Sequence, residues 1–406
     1  MADAQNYRAP ECLSRWGAVS LGIGAIALIA WVIGTYFNVE QGLRSWILGF
    51  VFWGGIAIGS LGLLMLQYLT GGAWGVVLRR PLEAGTRTLP LVILLFLPIA
   101  YGVATHQVYE WTHLPATDPV MAQRGIFMTP WAWILRGFIF LGLFSVMAYL
   151  LNKWSAGQDE STSFDDSSKL LEKMSRFSGP TLVIYCLVVT FASVDWVLSL
   201  DPHWFSTIWG LLYVVGWALS CLCFMVAVLA GLIDQEPMKK ILGKRHFHDL
   251  GKLILALVMV WAYFSFAQYL VVWSGNIPEE TAYYIPRTKG GWAWIGASLI
   301  FLHFAFPFLV LLQQDFKRHA KWLAGIAIFV LAMRILDFFW QVGPSARINS
   351  LGLESGAFYV NWLDLAAPIA IGGLWLWWFF GQLAKKPLVP VNDPYLEEAI
   401  EFGHGH

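Results

Sequence analysis

Apolar runs of about twenty residues recur along the chain, and this recurrence limits what the chain can fold into. A helix rises about 1.5 Å per residue, so about twenty apolar residues span the roughly 30 Å hydrocarbon core of a bilayer. Of the 406 residues, 58% are hydrophobic and only 13% are charged, about half the charged share of a soluble domain. The sequence therefore predicts an all-α integral membrane protein with about ten transmembrane helices. The predicted helices are Trp16–Phe37, Trp46–Thr70, Thr88–Gln107, Pro130–Leu151, Pro180–Ser199, Phe205–Leu232, Leu253–Trp273, Trp292–Leu312, Trp322–Val342 and Trp362–Leu383.

Positive charge is distributed unevenly among the segments that connect these helices. Lys and Arg concentrate in the N-terminal tail and in the even-numbered connections, whereas the odd-numbered connections hold few of them. Those few are Arg44, Arg124, Arg287, Lys289 and Arg347. Because cytoplasmic loops carry the excess of Lys and Arg, both termini are predicted to be cytoplasmic. The long first apolar run predicts a retained membrane helix rather than a cleaved signal peptide.

Two sequence patterns that each occur twice predict an internal duplication. Helix four begins with the Trp-Ala-Trp of residues 131–133, as helix eight does at residues 292–294. Asp195 and Asp337 each stand seven residues before a proline at the corresponding helix ends. A period of four helices preserves orientation, so the repeat would be parallel, with chance similarity as the alternative. The predicted domains are 1–45 (N-terminal tail and helix one), 46–204 and 205–345 (two four-helix bundles), and 346–406 (helix ten and a cytoplasmic tail).

Ionisable side chains inside the predicted helices are the candidate functional residues, because a charge at the bilayer centre costs at least about 2.5–3.5 kcal/mol. Arg334 and Asp337 lie one turn apart on helix nine and form either a structural ion pair or part of a proton path. Asp195 lies near the outer end of helix five, where a desolvated carboxylate is suited to proton exchange. The other candidates are Arg136, His106, His303 and Asp364. The alternative for His106 is an interfacial hydrogen bond, and that for Asp364 is a helix cap.

The charged candidates gather in the predicted outer half of the membrane. The inner half is expected to offer mainly neutral polar groups, namely Gln67, Tyr68, Ser145, Tyr149, Tyr185 and Ser220. This asymmetry predicts a polar cavity that reaches in from the outer face.

Small residues and prolines predict the shapes of particular helices. Gly55 and Gly59 form a GxxxG pattern, which predicts close helix packing, with contact to a flat ligand as the alternative. Prolines inside helices are expected to kink them. The predicted kinks are at Pro90, Pro98, Pro307 and Pro368.

The sequence shows no pattern that would hold a redox cofactor in this chain. Its four cysteines are Cys12, Cys186, Cys221 and Cys223, and none belongs to a CxxC pair. Neither an iron–sulfur cluster nor a structural zinc is therefore predicted. A bis-His haem needs facing pairs of histidines, and only His106 and His303 lie in predicted helices. The formal net charge of zero gives no sign of a nucleic-acid partner.

Two segments resemble signatures of a known family. The segment SVDWVLSLDPHWFSTIWG, residues 193–210, resembles a signature in membrane subunits of alternative complex III, a bacterial quinol:electron-acceptor oxidoreductase. The segment WGGIAIGSLGLLMLQYLTGGAWG, residues 53–75, is similar to the same family. Length and helix number fit the ActF-like subunits better than the longer ActC-like ones. Both belong to the NrfD, or polysulfide reductase membrane subunit, superfamily.

This resemblance implies a place in a multisubunit complex of the bacterial inner membrane, with a core of two four-helix bundles. The implied partners are an ActC-like sister subunit, an extracytoplasmic iron–sulfur subunit, multihaem cytochrome c subunits and lipids. Haem c and iron–sulfur clusters would be held by these partners, with menaquinone or ubiquinone reacting near the outer face. The matched motif implies Asp195, Asp201 and His203 as site residues.

The predicted function is that of a membrane subunit of a quinol:cytochrome c oxidoreductase that contributes a proton path or energy coupling. Quinone binding in this chain is left open by the resemblance. A secondary transporter is one alternative, since parallel repeats and midplane charges fit that class, and it would be active as an isolated chain. A structural scaffold subunit of the same complex is the other, and it predicts that replacing the buried acids lowers only complex yield.

Overall fold

The computed structural model describes residues 7–345 and 357–404, and every regular element in those residues is helical. Within this part of the chain, nine helices are long and apolar enough to cross a membrane. The bent pair Ala73–Thr86 and Leu89–Ala104 makes a tenth span if it is counted as one. The predicted all-α, multi-pass membrane architecture is therefore confirmed. Arg347, which belongs to the predicted charge pattern, lies outside the described residues.

The helices run longer than their apolar cores. The principal helices are α1 (Cys12–Phe37), α2 (Val39–Thr70), α3 (Ala73–Thr86), α4 (Leu89–Ala104), α5 (Pro130–Asp159), α6 (Phe164–Trp196), α7 (Trp209–Leu232), α8 (Lys244–Gly275), α9 (Gly290–Ser298), α10 (Phe306–Leu312), α11 (Ala320–Val342), α12 (Leu363–Ala384) and α13 (Leu396–His404). Short helical segments occupy Glu110–Thr112, Pro119–Arg124, Gly125–Met128, Leu198–Leu200, Met238–Ile241, Pro278–Thr281, Tyr284–Arg287 and Gln314–Arg318. Helix α6 begins at Phe164 rather than at the predicted Pro180, because the Ser163 side chain caps its N-terminus.

Helix α2 lies at the centre of the molecule, and nearly all its side chains are buried. It packs against α4 and α6 on one side and against α7 and α11 on the other, with α1 and α12 forming a close pair beside it. Helices α8 and α11 also pack against α7, and α10 packs against α8. The duplication remains a prediction. Following the predicted orientation, the inner side is the side where α1 begins and α12 ends.

The GxxxG pattern of α2 places this helix directly against α7. A Cβ atom at Gly55 would collide with the indole of Trp217, and one at Gly59 would collide with the Trp217 backbone carbonyl. Only glycine permits such a close approach of two helix backbones. The predicted packing role of this pattern is confirmed.

The segment between residues 70 and 88 was predicted to be a connection, and this prediction is wrong. It contains α3, which turns back along α2 and meets α4 at an angle of 41°. Its charged residues made it unlike a membrane helix in sequence. In the structure Arg79, Arg80 and Glu83 are buried inside the protein and pair with one another, so they do not contact lipid.

Helix α9 continues through a π-helix, Leu299–Ala305, into α10. The predicted kink at Pro307 falls directly after this widened stretch. Pro90 instead lies in the first turn of α4, where a missing N–H breaks no helical hydrogen bond.

Candidate functional site

Arg334 and Asp337 form a buried ion pair on α11, and both residues are at most 3% exposed. The Nε atom of Arg334 donates to the hydroxyl of Ser220 on α7 at 3.4 Å. Gly216, one turn earlier on α7, leaves room for the guanidinium, because a Cβ there would collide with it. The indole Nε1 of Trp261 on α8 donates to the Asp337 carboxylate at 3.2 Å. The pair therefore joins three helices.

Hydrogen bonds extend from this pair toward the outer side. Gln341 donates to Asp337 at 3.1 Å and accepts the Tyr213 hydroxyl at 2.7 Å. The backbone carbonyl of Gln341 accepts from Arg287 at 2.8 Å. Arg287 in turn lies 3.4 Å from a carboxylate oxygen of Asp201, whose side chain is 30% exposed. We call these residues, together with Arg334 and Ser220, the central network.

Arg287 was missed as a site residue, because the sequence places it in an outer connection. Its side chain is only 1% exposed, and its Cζ atom lies 3.4 Å from the centre of the Tyr283 ring. Tyr283 stacks on Trp204 of the matched motif at a centroid distance of 3.9 Å. The run of aromatic residues before Arg287 was the available signal, because arginine often packs on aromatic rings.

Asp195 pairs with Arg136 rather than with the central network. The Arg136 guanidinium donates Nε and Nη2 to the two oxygens of Asp195 at 2.8 and 3.1 Å, a bidentate arrangement. Both side chains are partly exposed and line an outer pocket of about 580 Å³. The other walls of this outer pocket are mainly apolar, with contributions from Phe127, Met128, Phe140, Phe191, Trp204 and Phe205.

The expectation of a mainly neutral inner half is wrong. On α3, the Glu83 carboxylate lies 2.7 Å from Arg80 and 3.3 Å from each of Arg79 and Arg87. Arg79 also pairs with Asp393 of the C-terminal segment at 2.6 Å. We call these five residues, together with Asp159 and Lys386, the inner cluster. The sequence placed these charges in connections, and only the folding of α3 and the C-terminal segment buries them together.

Asp159 and Lys386 lie at the edge of the inner cluster. Asp159 pairs with Arg80, keeps 20% of its side chain exposed, and lies 3.8 Å from the Lys386 ammonium. Burial lowers the pKa of Lys386, which follows the end of α12, more than its neighbouring carboxylates raise it. The inner cluster therefore reaches the surface of the protein at Asp159, Lys386 and Arg87.

No family model and no curated protein matches this chain. Interpretation of the site therefore depends on its geometry. Within residues 7–345 and 357–404, no three His, Cys, Asp or Glu side chains are grouped to hold a metal ion.

His106 and His203 lie at the outer surface, away from the central network. His106 is exposed, has a left-handed backbone with φ of 58°, and accepts through its carbonyl from His113 at 2.7 Å. His203 is exposed and lies 3.1 Å from Asp118. This hydrogen bond lowers the pKa of the Asp118 carboxyl. Both histidines make surface contacts between outer segments.

Asp364 stands at the outer start of α12 and is only 5% exposed. One carboxylate oxygen accepts from Gln41 at 2.8 Å and from Ser45 at 2.6 Å, and the other accepts from the Asn361 amide at 3.0 Å. Asp364 therefore holds the start of α12 against α2, whereas the side chain that accepts from a first-turn amide is that of Asn361, from Leu363 at 3.0 Å.

His303 is completely buried in the π-helix, with its ring centre 3.9 Å from that of Trp261. Neither ring nitrogen has a hydrogen-bond partner among the residues that the structure describes. Trp261 thus separates His303 from the carboxylate of Asp337, to which the indole donates.

Neutral polar groups lie between the central network and the inner half. Cys221, next to Ser220 on α7, lies 3.3 Å from the Ser60 hydroxyl on α2. Ser60 contacts α3 at Gly85, where an added Cβ would collide with its hydroxyl. Of the predicted inner groups, Tyr149 is 63% exposed on the lipid-facing surface of α5 and is not one of these groups.

Proposed function

We propose that this chain is a proton-conducting membrane subunit of a multisubunit quinol:electron-acceptor oxidoreductase of a bacterial inner membrane. Its proposed partners are an ActC-like sister subunit, an iron–sulfur subunit and multihaem cytochrome c subunits, which would carry the redox cofactors. The observation that supports a proton path is the row of buried polar contacts that runs from the outer surface to Ser220 in the middle of α7.

This row begins at the partly exposed Asp201 and follows Arg287 and Gln341 to Asp337 and Arg334. Polar side chains and the waters between them can pass protons through a protein interior without a metal. Buried ionisable groups are costly in a membrane, and so many of them in one row favour a use beyond helix packing.

Beyond Ser220, the neighbouring Cys221 on α7 lies 3.3 Å from Ser60 on α2, and bound waters would carry protons from there to the bent pair. Asp159, at the partly exposed edge of the inner cluster, would exchange protons with the cytoplasm. Because Arg334 stabilises the ionised form of Asp337, an arriving proton must displace the guanidinium from the carboxylate. The freed guanidinium would then shift toward Ser220, and the proton would leave Asp337 inward through bound water.

A direct test replaces Asp337 by Asn in the native complex, which is purified and reconstituted in liposomes. We expect electron transfer from quinol to continue while the number of protons translocated per electron falls. Asp364→Asn is the matched control, since it removes another buried carboxylate outside the row. Unchanged proton stoichiometry in Asp337→Asn would refute the proposal.

The same experiment separates the alternatives. A scaffold role predicts that Asp337→Asn lowers the amount of assembled complex without uncoupling the complex that remains. A transporter role predicts substrate flux by the isolated chain in liposomes, whereas we expect that chain to be inactive without its partners.

The outer pocket favours quinol binding as a second role of this chain. Its walls are mainly apolar and include several aromatic rings, and the Arg136–Asp195 pair supplies hydrogen-bonding groups at one side, which suits a lipid-soluble ring with polar oxygens. Phe140→Trp should fill the pocket and weaken binding of a quinone analogue. Equal binding by wild type and Phe140→Trp would rule out this site.

A further inference from the structure

We infer that the π-helix at His303 forms a binding site for internal water inside the membrane-spanning region. We further infer that this water connects the imidazole with the central network. The site follows from the geometry of α9, α10 and their neighbours. Its use in proton conduction rests on the proposed function.

The backbone of the π-helix loses the usual α-helical donor at two successive carbonyls. The Phe306 amide donates to the Phe301 carbonyl, five residues back, so the Leu302 carbonyl loses its usual α-helical donor. The next donor would be residue 307, which is proline and has no N–H for the His303 carbonyl. In lipid, polar backbone groups without partners are found where a cavity or water satisfies them.

The His303 side chain adds two ring nitrogens without hydrogen-bond partners at the same place. A neutral imidazole has one N–H donor and one nitrogen acceptor. The His303 ring is 0% exposed, and neither nitrogen has a partner within the described ranges. Buried polar side-chain atoms in proteins nearly always have a partner, either protein or ordered water.

The chemistry of the site favours water over an ion. A bound cation would be repelled by the buried Arg334 guanidinium, whose Cζ atom lies 5.9 Å from the Trp261 ring that covers His303. A bound anion would be repelled by the backbone carbonyls. Water both donates and accepts, so it can satisfy an imidazole N–H, an imidazole nitrogen and a carbonyl together.

The position of His303 brings this water next to the central network. The imidazole packs on the Trp261 ring at 3.9 Å with an angle of 36° between the planes. The indole Nε1 of Trp261 donates to Asp337 at 3.2 Å. Water that extends from His303 around the edge of Trp261 would give Asp337 a nearby proton acceptor. Because Pro307 cannot donate, the widened turn is a fixed feature of the helix and does not depend on a ligand.

The test is a density map of the native complex, at a resolution that shows ordered water, for wild type and three variants. We expect water density beside His303 in wild type and in His303→Gln, which keeps a donor and an acceptor. We expect none in His303→Phe. Pro98→Ala, which alters a proline in α4, is the matched control and should retain the water.

A dry cavity in wild type, or a protein atom that satisfies both ring nitrogens, would overturn the water site. The role in conduction is measured separately as protons per electron in liposomes, where His303→Phe should lower the ratio and His303→Gln should lower it less. Water at the site with an unchanged ratio in His303→Phe would overturn that role alone. Neither result depends on the Asp337→Asn outcome, so failure of this inference and failure of the proposed function are distinguishable.

Discussion

Replacing Glu83 by Gln tests whether the inner cluster holds the bent pair in place. The carboxylate lies 2.7 Å from Arg80 and 3.3 Å from Arg79 and Arg87, and Glu83 is 0% exposed. The amide would keep the shape of the side chain and remove its charge. Three guanidiniums would then lose a shared partner, and those of Arg79 and Arg80 are buried.

The size of the effect follows from the charges that remain. The inner cluster contains four positive groups (three Arg and Lys386) and three carboxylates, and the substitution leaves only Asp159 and Asp393 to balance them. Removal of one partner from a buried ion pair costs about 3–5 kcal/mol. Because about 1.4 kcal/mol changes an equilibrium constant tenfold, the equilibrium constant for folding should fall by roughly a hundred- to a few thousandfold.

The assay is the fraction of protein that remains monodisperse in detergent after heating, followed by size-exclusion chromatography with fluorescence detection. Glu172→Gln is the matched control, since Glu172 also pairs with an arginine four residues away but is largely exposed. Exposed pairs contribute little to stability, so no shift is expected in the control. If Glu83→Gln is as stable as wild type, the ionised carboxylate does not hold α3 in place.

Two further predictions concern packing and pH. Gly59→Leu should prevent α2 from packing against α7, because the new leucine side chain would overlap the Trp217 carbonyl. Gly22→Leu should not affect folding, because the space around Gly22 is open. The amount of each variant recovered in the membrane fraction measures both outcomes. The hydrogen bond to His203 lowers the pKa of Asp118 in the folded state. The contact therefore contributes its full stabilisation of the folded protein above the ordinary carboxyl pKa, and this contribution is lost as the pH falls through the lowered pKa. Limited proteolysis of the outer segments at decreasing pH should show this loss, and His203→Ala should abolish the pH dependence.

Local features of the chain predicted most of the helices correctly. The spacing of apolar residues determines where a helix spans a bilayer, and the observed spans agree apart from their ends and the missed α3. The ion pair of Arg334 with Asp337 was also predictable, because residues three apart on a helix face the same way. The pairing of Asp195 with Arg136 was not, because it joins two helices whose relative rotation the sequence does not fix.

The inner cluster and Arg287 show why the remaining site residues escaped prediction. Charged residues in a segment between two apolar runs are usually exposed, and composition alone assigns Arg79, Arg80 and Arg287 to that class. Their burial depends on partners far away in sequence, such as Asp393 for Arg79 and Asp201 for Arg287. Such contacts form only when distant segments meet.

The amino-acid sequence is enough to predict a bundle of apolar helices, because hydrophobic runs and helical rise are local properties of the chain. It also determined that α2 could approach a neighbour closely, because Gly55 and Gly59 lack side chains. Tertiary packing sets which charged groups are paired and which face lipid or solvent. It also sets which polar atoms lack hydrogen-bond partners among the described residues, such as the ring nitrogens of His303. The physical reason is that electrostatic and hydrogen-bonding partners are set by distances in space, and those distances depend on the packing of the whole chain.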